Sequence, residues 1–133
     1  MARYRVHIDE LPVLQVPGRE VRNAVNAEVS GSEQMTMQIV DVLPGAESKP
    51  GHTHTDCEEI IFVQSGAGEI LIGDEVHPLR PGDVLFLPRG VRHMTRNPGT
   101  ERLRLVCAFS SCDLKKGMCF HPDMAYPAEN RER

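Results

Sequence analysis

One short segment carries the residue types that bind metal ions in proteins. Residues 51–59 read Gly-His-Thr-His-Thr-Asp-Cys-Glu-Glu. On an extended chain, residues two positions apart point to the same side, so His52 and His54 present two imidazoles to one face. Glu59 follows five residues later, where an apolar run begins. Imidazole and carboxylate together suit first-row divalent metals, so this segment predicts part of a metal site.

A second segment, residues 82–97, adds a third histidine. His93 follows a short apolar run and the turn Pro-Arg-Gly. Pro88 is expected to end the strand before the loop that orients His93. Asn97 is interpreted as a structural residue that makes hydrogen bonds to the backbone of the same hairpin. Two such segments in this order predict a metal centre whose ligands come from separate strands.

These segments resemble the paired motifs of the cupin superfamily. The first motif, G-x5-H-x-H-x3or4-E-x6-G, fits from His52 to Gly66, although its leading glycine falls on Ala46, with Gly45 one place away. The second motif, G-x5-P-x-G-x2-H-x3-N, is matched at every position, by Gly82, Pro88, Gly90, His93 and Asn97. The resemblance is to small single-domain microbial cupins. It implies an all-β fold, a jelly-roll β-barrel also described as a double-stranded β-helix.

The resemblance also implies a ligand set for one divalent transition metal per chain, which could be Fe, Mn, Ni, Co or Zn. Glu59 is preferred to Glu58 as the carboxylate ligand. Only Glu59 is separated from Gly66 by six residues, and only Glu59 shares strand parity with Ile61 and Val63. The implied metal ligands are His52, His54, Glu59 and His93.

Strand signals dominate the chain and support this fold class. Short apolar or β-branched runs are bounded by Gly or Pro, and Gly- or Pro-containing turns recur every eight or so residues, which is typical of a sandwich or barrel. No stretch shows sustained helical periodicity. The predicted strands are Met35–Val42, Glu59–Gln64, Gly68–Ile72, Asp83–Leu87 and Arg102–Phe109.

The length of 133 residues fits one domain, 1–133. We expect the barrel at roughly residues 33–110. N-terminal strands are predicted within residues 3–29, where Tyr4–Ile8 and Val13–Val16 read as extended. Residues 111–133 are predicted to form a C-terminal extension.

Alternation predicts which way two regions face. In the last strand, Leu103, Leu105, Cys107 and Phe109 should face the interior, while the arginines between them should face water. The strands near residues 59–64 and 83–87 are apolar on both faces and need covering on both. A second sheet layer or a partner subunit could cover them, and a homodimer is the simpler prediction.

Four residues are candidates for contact with a substrate. Ile61 and Val63 share parity with Glu59, and Cys107 should face the interior, either as a core residue or beside the metal. Gln38 could form a hydrogen bond with a substrate if its face of the strand, rather than the face of Met37, points inward. An apolar pocket around a metal suits a small polar molecule with an oxygen donor.

Composition limits the other partners and the compartment. The 15 basic and 19 acidic residues give a formal charge of −4, which disfavours nucleic-acid binding. No apolar run approaches the roughly 20 residues that span a bilayer, and the N-terminus lacks a signal-like apolar stretch. None of the four cysteines forms a Cys-x-x-Cys pair, so free thiols in the cytoplasm are expected.

The resemblance leaves the reaction open, because cupins include dioxygenases, isomerases, decarboxylases and lyases besides pure binding domains. We predict a metalloenzyme that acts on a small oxygenated metabolite, as an oxidoreductase of the dioxygenase type or as an isomerase or lyase. The alternative is a non-catalytic domain that binds or senses a sugar or a small organic acid. A sensor needs an output, and no DNA-binding helix pair is evident, which favours the enzyme.

Overall fold

A computed structural model describes residues 3–127, and antiparallel strands make up most of them. The two helices are single turns, a 3-10 helix at Ile8–Glu10 and α1 at Ala27–Ser30. The strands are β1 Leu14–Val16, β2 Arg19–Val25, β3 Thr36–Val42, β4 Gly51–His54, β5 Glu59–Ser65, β6 Gly68–Ile72, β7 Glu75–Leu79, β8 Val84–Leu87, β9 His93–Arg96, β10 Leu103–Phe109 and β11 Met118–His121.

The strands form two sheets, and this arrangement confirms the predicted all-β jelly-roll barrel. One sheet has six strands in the order β1-β2-β3-β10-β5-β8, and the other has five in the order β11-β4-β9-β6-β7. Every strand pair is antiparallel. The five predicted strands are β3, β5, β6, β8 and β10, and each of their ends agrees within one residue.

The prediction for the N-terminal segment was wrong in part. The extended piece near residues 13–16 becomes β1, but residues 4–7 belong to no strand. His7 instead caps the N-terminus of the 3-10 helix, where its side chain accepts a hydrogen bond from the Asp9 N–H at 3.1 Å. A strand needs a partner for its backbone groups, and Tyr4 is 98% exposed with no strand beside it. Residues 128–133 of the expected C-terminal extension lie outside the described residues.

The main core lies between the two sheets. The alternation predicted for β10 is confirmed, because the side chains of Leu103, Leu105, Cys107 and Phe109 are all buried. They pack with residues of the facing sheet such as Ile70. Burying apolar side chains from both sheets is the main favourable term for such a fold, at roughly 25 cal/mol per Å² of apolar surface.

The outward face of β10 is less exposed than predicted. Arg102 and Arg104 do lie on this face, but both bind Asp41 of β3, whose side chain is fully buried. Arg104 donates to the two carboxylate oxygens at 2.8 and 2.9 Å, and Arg22 of β2 approaches one of them at 3.4 Å. Burial alone would raise the pKa of Asp41, but the hydrogen bonds and charges of Arg104 and Arg102 lower it below its ordinary value.

The C-terminal segment covers the outer face of the five-stranded sheet. Met124 and Tyr126 pack there against Leu71 and Met94. The Tyr126 hydroxyl donates to the Met94 carbonyl at 3.0 Å, and the Arg96 guanidinium lies 4.1 Å from the centre of the Tyr126 ring. This sheet is therefore covered on both faces by its own chain.

Within residues 3–127, no helix has the length and apolar character needed to cross a bilayer.

Candidate metal centre

Three histidines meet on the inner face of the five-stranded sheet. His52 of β4 pairs in register with His93 of β9, and His54 lies two residues further along β4 on the same face. The ring centroids are 4.4 Å apart for His52 and His93, 5.0 Å for His52 and His54, and 5.6 Å for His54 and His93. One ring nitrogen from each histidine lies within 4.8 Å of the other two, so the three could hold one metal ion.

The turn before β9 helps to hold this arrangement. Gly90 has a φ of +79°, a conformation that favours glycine, and its N–H donates to the His54 carbonyl at 2.9 Å. Asn97 is 1% exposed and is structural as expected, but its hydrogen bonds go to β3 and to the loop after β9 rather than to the hairpin that orients His93. Its amide donates to the carbonyls of Val42 and Glu101 at 3.0 and 2.6 Å, and its oxygen accepts from the Gly99 N–H at 3.0 Å.

A carboxylate reaches the histidines from the opposite sheet. Glu59 begins β5, and its Oε1 lies 3.2 Å from His93 Nε2 and 3.6 Å from His54 Nε2. Glu58 is exposed, and its backbone N–H donates to Ser110 Oγ. The predicted parity of β5 is therefore correct: Glu59 faces inward toward the histidines and Glu58 faces outward.

The hydrogen bonding at the centre fits a metal ion. Within residues 3–127, His52 Nδ1, both ring nitrogens of His54 and Glu59 Oε1 are buried with no hydrogen-bond partner. Burying such atoms unpaired is costly, and coordination would satisfy one ring nitrogen of each histidine and the Glu59 oxygen. His93 Nδ1 lies 3.0 Å from the Val91 carbonyl, which can only accept, so Nδ1 carries the proton and Nε2 is left free toward the centre.

The neutral state of the buried histidines also suits metal binding. Burial, together with the neighbouring His93, Arg19 and His54, lowers the pKa of His52 to about 2. Burial also lowers the pKa of His54, although the Glu59 carboxylate opposes this. Neutral imidazoles keep a lone pair for a metal ion, whereas protonated ones do not.

A cavity of about 440 Å³ opens onto this centre. Of the residues predicted to contact a substrate, Gln38, Ile61 and Cys107 line it, and the Gln38 amide also donates to Asn23 Oδ1 at 2.8 Å. Val63 does not line the cavity, because it is fully buried in the core behind it. Burial, together with the Glu59 carboxylate, raises the pKa of the Cys107 thiol, so this residue is a neutral group beside the centre.

Sequence reasoning missed the contribution of β1 and β2 to this cavity. Four residues of these strands line the cavity, namely Leu14, Val16, Arg19 and Val21. The two strands pair with each other through a tight turn, and β2 pairs with β3, which extends the six-stranded sheet over the cavity. The only signal in the sequence was the β-branched run interrupted by Pro17 and Gly18, which predicts a hairpin but not the surface that it covers.

Known proteins resemble this chain in sequence and in structure. A family model described as a cupin domain matches residues 38–109. Protein SchB of Streptomyces halstedii is 37% identical over 101 residues, which cover 76% of this chain and 72% of SchB. Polyketide synthase CurC of Streptomyces cyaneus is 29% identical over 123 residues, which cover 92% of this chain and 79% of CurC.

The solved structure of Streptomyces Pac13, described as a nucleoside dehydratase, is similar in fold. It superposes with a TM-score of 0.74 at 14% identity, over 96% of each chain. At this identity the match concerns the fold only.

Proposed function

Since this chain belongs to the cupin family, and since its three inward-facing histidines meet in the barrel, we propose that it is a metalloenzyme acting on a small oxygenated metabolite. The observation that carries the proposal is the set of buried, unpartnered ring nitrogens beside the Glu59 carboxylate, at the base of a mostly apolar cavity. Dioxygenase, isomerase, decarboxylase and lyase chemistry all remain candidates for the reaction.

The proposed metal ligands are His52, His54, Glu59 and His93, for one ion of Fe, Mn, Ni, Co or Zn. Such an ion, when bound, polarises a carbonyl or lowers the pKa of water. The chain itself orients the ligands and excludes water from the site. The Val91 carbonyl holds the His93 ring by its Nδ1 proton, and apolar residues such as Ile61 and Leu105 exclude water from the reacting oxygen.

The relatives favour one kind of metabolite. CurC carries the name polyketide synthase, and its match spans 92% of this chain. We therefore propose a carbon chain or ring that bears keto or hydroxyl oxygens. A cavity of about 440 Å³ is within the range of roughly 300–1,000 Å³ that is usual for small-molecule sites.

Elemental analysis of untagged protein is the first test of this function. We expect about one transition-metal ion per chain. The loaded and the chelator-treated protein are then compared with enolisable diketones and oxo acids, while oxygen uptake, carbon dioxide release and enol absorbance are followed. Turnover that needs the metal supports the enzyme. Binding without turnover would instead support the non-catalytic sugar- or acid-binding domain, and absence of metal would contradict both metal-based functions.

Separate substitutions of the two neighbouring glutamates distinguish the metal ligand from the residue that is not a ligand. Glu59→Gln is expected to weaken metal affinity by at least about tenfold, because an amide is a poorer ligand than a carboxylate for these ions. Glu58→Gln, the matched control, should leave affinity unchanged, since Glu58 is exposed. Competition titration with a chromogenic chelator measures both. The reverse order of effects would contradict the assignment of Glu59.

We also propose that the protein is a homodimer, through an apolar surface that its own chain leaves open. Ile60 and Phe62 of β5 and Val84 and Phe86 of β8 are between 41% and 67% exposed. They face each other across the two strands, Ile60 opposite Phe86 and Phe62 opposite Val84. A contiguous apolar face of this kind usually marks an interface, and a two-fold dimer buries the same face on both subunits.

The double variant Phe62→Glu, Phe86→Glu tests this interface. We expect it to be monomeric at micromolar concentrations where the wild type is dimeric, because the dimer would bury like charges against each other. Size-exclusion chromatography with light scattering reports the mass. Val13→Glu is the control, since Val13 is 39% exposed and precedes β1, at the opposite edge of the same sheet. A monomeric wild type would contradict the proposal.

Two further proposals concern the organisation and the compartment. We propose that the chain forms one domain, since β2 joins the same sheet as β3 and β11 joins the same sheet as β4. We propose a cytoplasmic location, which is supported by the fact that the four cysteines are free thiols.

A further inference from the structure

Arg19 is a partly buried cation at the wall of the cavity, and its Nε is fully buried. It is the first residue of β2, where it pairs with Val16 of β1 and Val42 of β3, and its side chain lines the cavity. Desolvation by burial lowers the pKa of the guanidinium, while the nearby Cys107 and Glu59 raise it. Both of these neighbours line the same cavity, so the guanidinium shares this cavity with the histidine centre.

This guanidinium lacks the partner that the other enclosed arginines have. Its Nε is buried with no hydrogen-bond partner, and no ion pair found within residues 3–127 includes it. Arg104 and Arg22, by contrast, bind Asp41, and Arg96 binds Glu69. Burying a charge without a partner is costly, so the position is best explained by a partner that arrives from the cavity.

The charge of the whole lining points to the same kind of partner. Arg19, Lys49 and Lys115 line the cavity, and Glu59 is the acidic residue among its lining side chains. Lys49 is paired with Glu47, which leaves Arg19 and Lys115 as the lining cations that form no ion pair with another residue of the described range 3–127. A divalent ion bound beside Glu59 would make the cavity more positive still. A cavity of this sign attracts and retains anions.

We propose that Arg19 binds a carboxylate of the substrate while a second oxygen of the same molecule faces the histidine centre. This inference rests on the proposed function and narrows its substrate class to small oxo or hydroxy acids. A guanidinium matches a carboxylate with two parallel hydrogen bonds. The remainder of the lining near Arg19 is largely apolar, for example Val16, Val21 and Val40, which suits a carbon skeleton.

Matched pairs of probes test this inference without the need for turnover. 2-Oxopentanoate is paired with hexane-2,3-dione, and 4-oxopentanoate is paired with hexane-2,5-dione. In each pair the acid has a carboxylate at the position where the dione has an acetyl group. Calorimetry on cobalt-loaded protein gives the dissociation constants, and the cobalt absorption spectrum reports contact with the centre. We expect the wild type to prefer at least one acid over its dione by about tenfold or more, which corresponds to one charge-assisted pair.

Arg19→Gln should remove this preference by weakening the acid and leaving the dione unchanged, and Arg19→Lys should keep part of it. Arg80→Gln is the control, because it removes the same charge from an exposed position. If Arg19 instead supported the fold, the Arg19→Gln variant would have a lower melting temperature and would bind less cobalt. We expect neither change, because removing a charge that has no partner in the fold does not destabilise the protein.

The outcomes separate the inference from the function on which it rests. A wild type without preference for either acid, or an Arg19→Gln variant that keeps the preference, would overturn the role of Arg19 while the metal centre stands. A wild type that holds no cobalt would overturn the proposed function, and this role of Arg19 with it.

Discussion

His93→Ala is expected to reduce metal content from about one ion per chain to a small fraction, with affinity weakened on the order of 100-fold or more. Even outer partners of metal ligands cost roughly 10- to 100-fold when they are removed, and His93 is placed to be a ligand itself. It is 4% exposed, its Nδ1 is held by the Val91 carbonyl, and its Nε2 is 3.2 Å from Glu59 Oε1. Because the ring is oriented before any ion arrives, no other side chain can replace it without moving β9.

Elemental analysis after dialysis against a weak chelator measures this loss. His77→Ala is the matched control, because His77 lies on β7 with its side chain 47% exposed and has Glu75 as its nearest acidic partner. The control should keep its metal. Circular dichroism and thermal melting check that the His93 variant is folded. A folded His93→Ala protein with wild-type metal content would show that the three histidines are not the metal site.

Asp41→Ala is expected to lower the free energy of unfolding by about 3–5 kcal/mol, the usual cost of removing one partner from a buried ion pair. The Asp41 side chain is fully buried and takes hydrogen bonds or close contacts from Arg22, Arg102 and Arg104. Without it, Arg22 of β2 and Arg104 of β10 lose the carboxylate that lies between them on β3, and Arg102 keeps only Glu20. Urea unfolding measures the effect, and the exposed Asp74→Ala should change stability by no more than about 0.5 kcal/mol.

The same carboxylate predicts a dependence of stability on pH. Its pKa is lowered in the folded protein below the ordinary value of 3.8, so the unfolded chain binds the proton more readily. The stabilisation is therefore fully present above pH 3.8 and is lost as the pH falls through the lower, native value. Asp41→Asn should lack this component, so that its stability differs less from that of the wild type at pH 3 than at pH 7. An equal difference at both pH values would contradict the assigned charge of Asp41.

Much of the site was predictable because it depends on spacing along single strands. The alternation of a strand alone places His52 and His54 on one face and turns Glu59 inward, away from Glu58. His93 was added to this set by the resemblance to the cupin motifs, because its register with His52 comes from the pairing of β9 with β4. The five apolar strands were predicted to within one residue because their hydrophobic pattern has the period of a strand.

What the sequence by itself determined is therefore the fold class, the shared face of His52 and His54, the inward direction of Glu59 and, through the motif resemblance, the place of His93 at the histidine centre. Only the tertiary structure decided which surfaces close around that centre. Arg19 enters the cavity because β2 pairs with β3, and Asp41 binds Arg104, 63 positions away, because β3 pairs with β10. Val63 has the parity of Ile61, yet it lies in the core behind the cavity. Strand pairing joins segments that are distant along the chain, so the surroundings of a side chain depend on partners that no local pattern specifies.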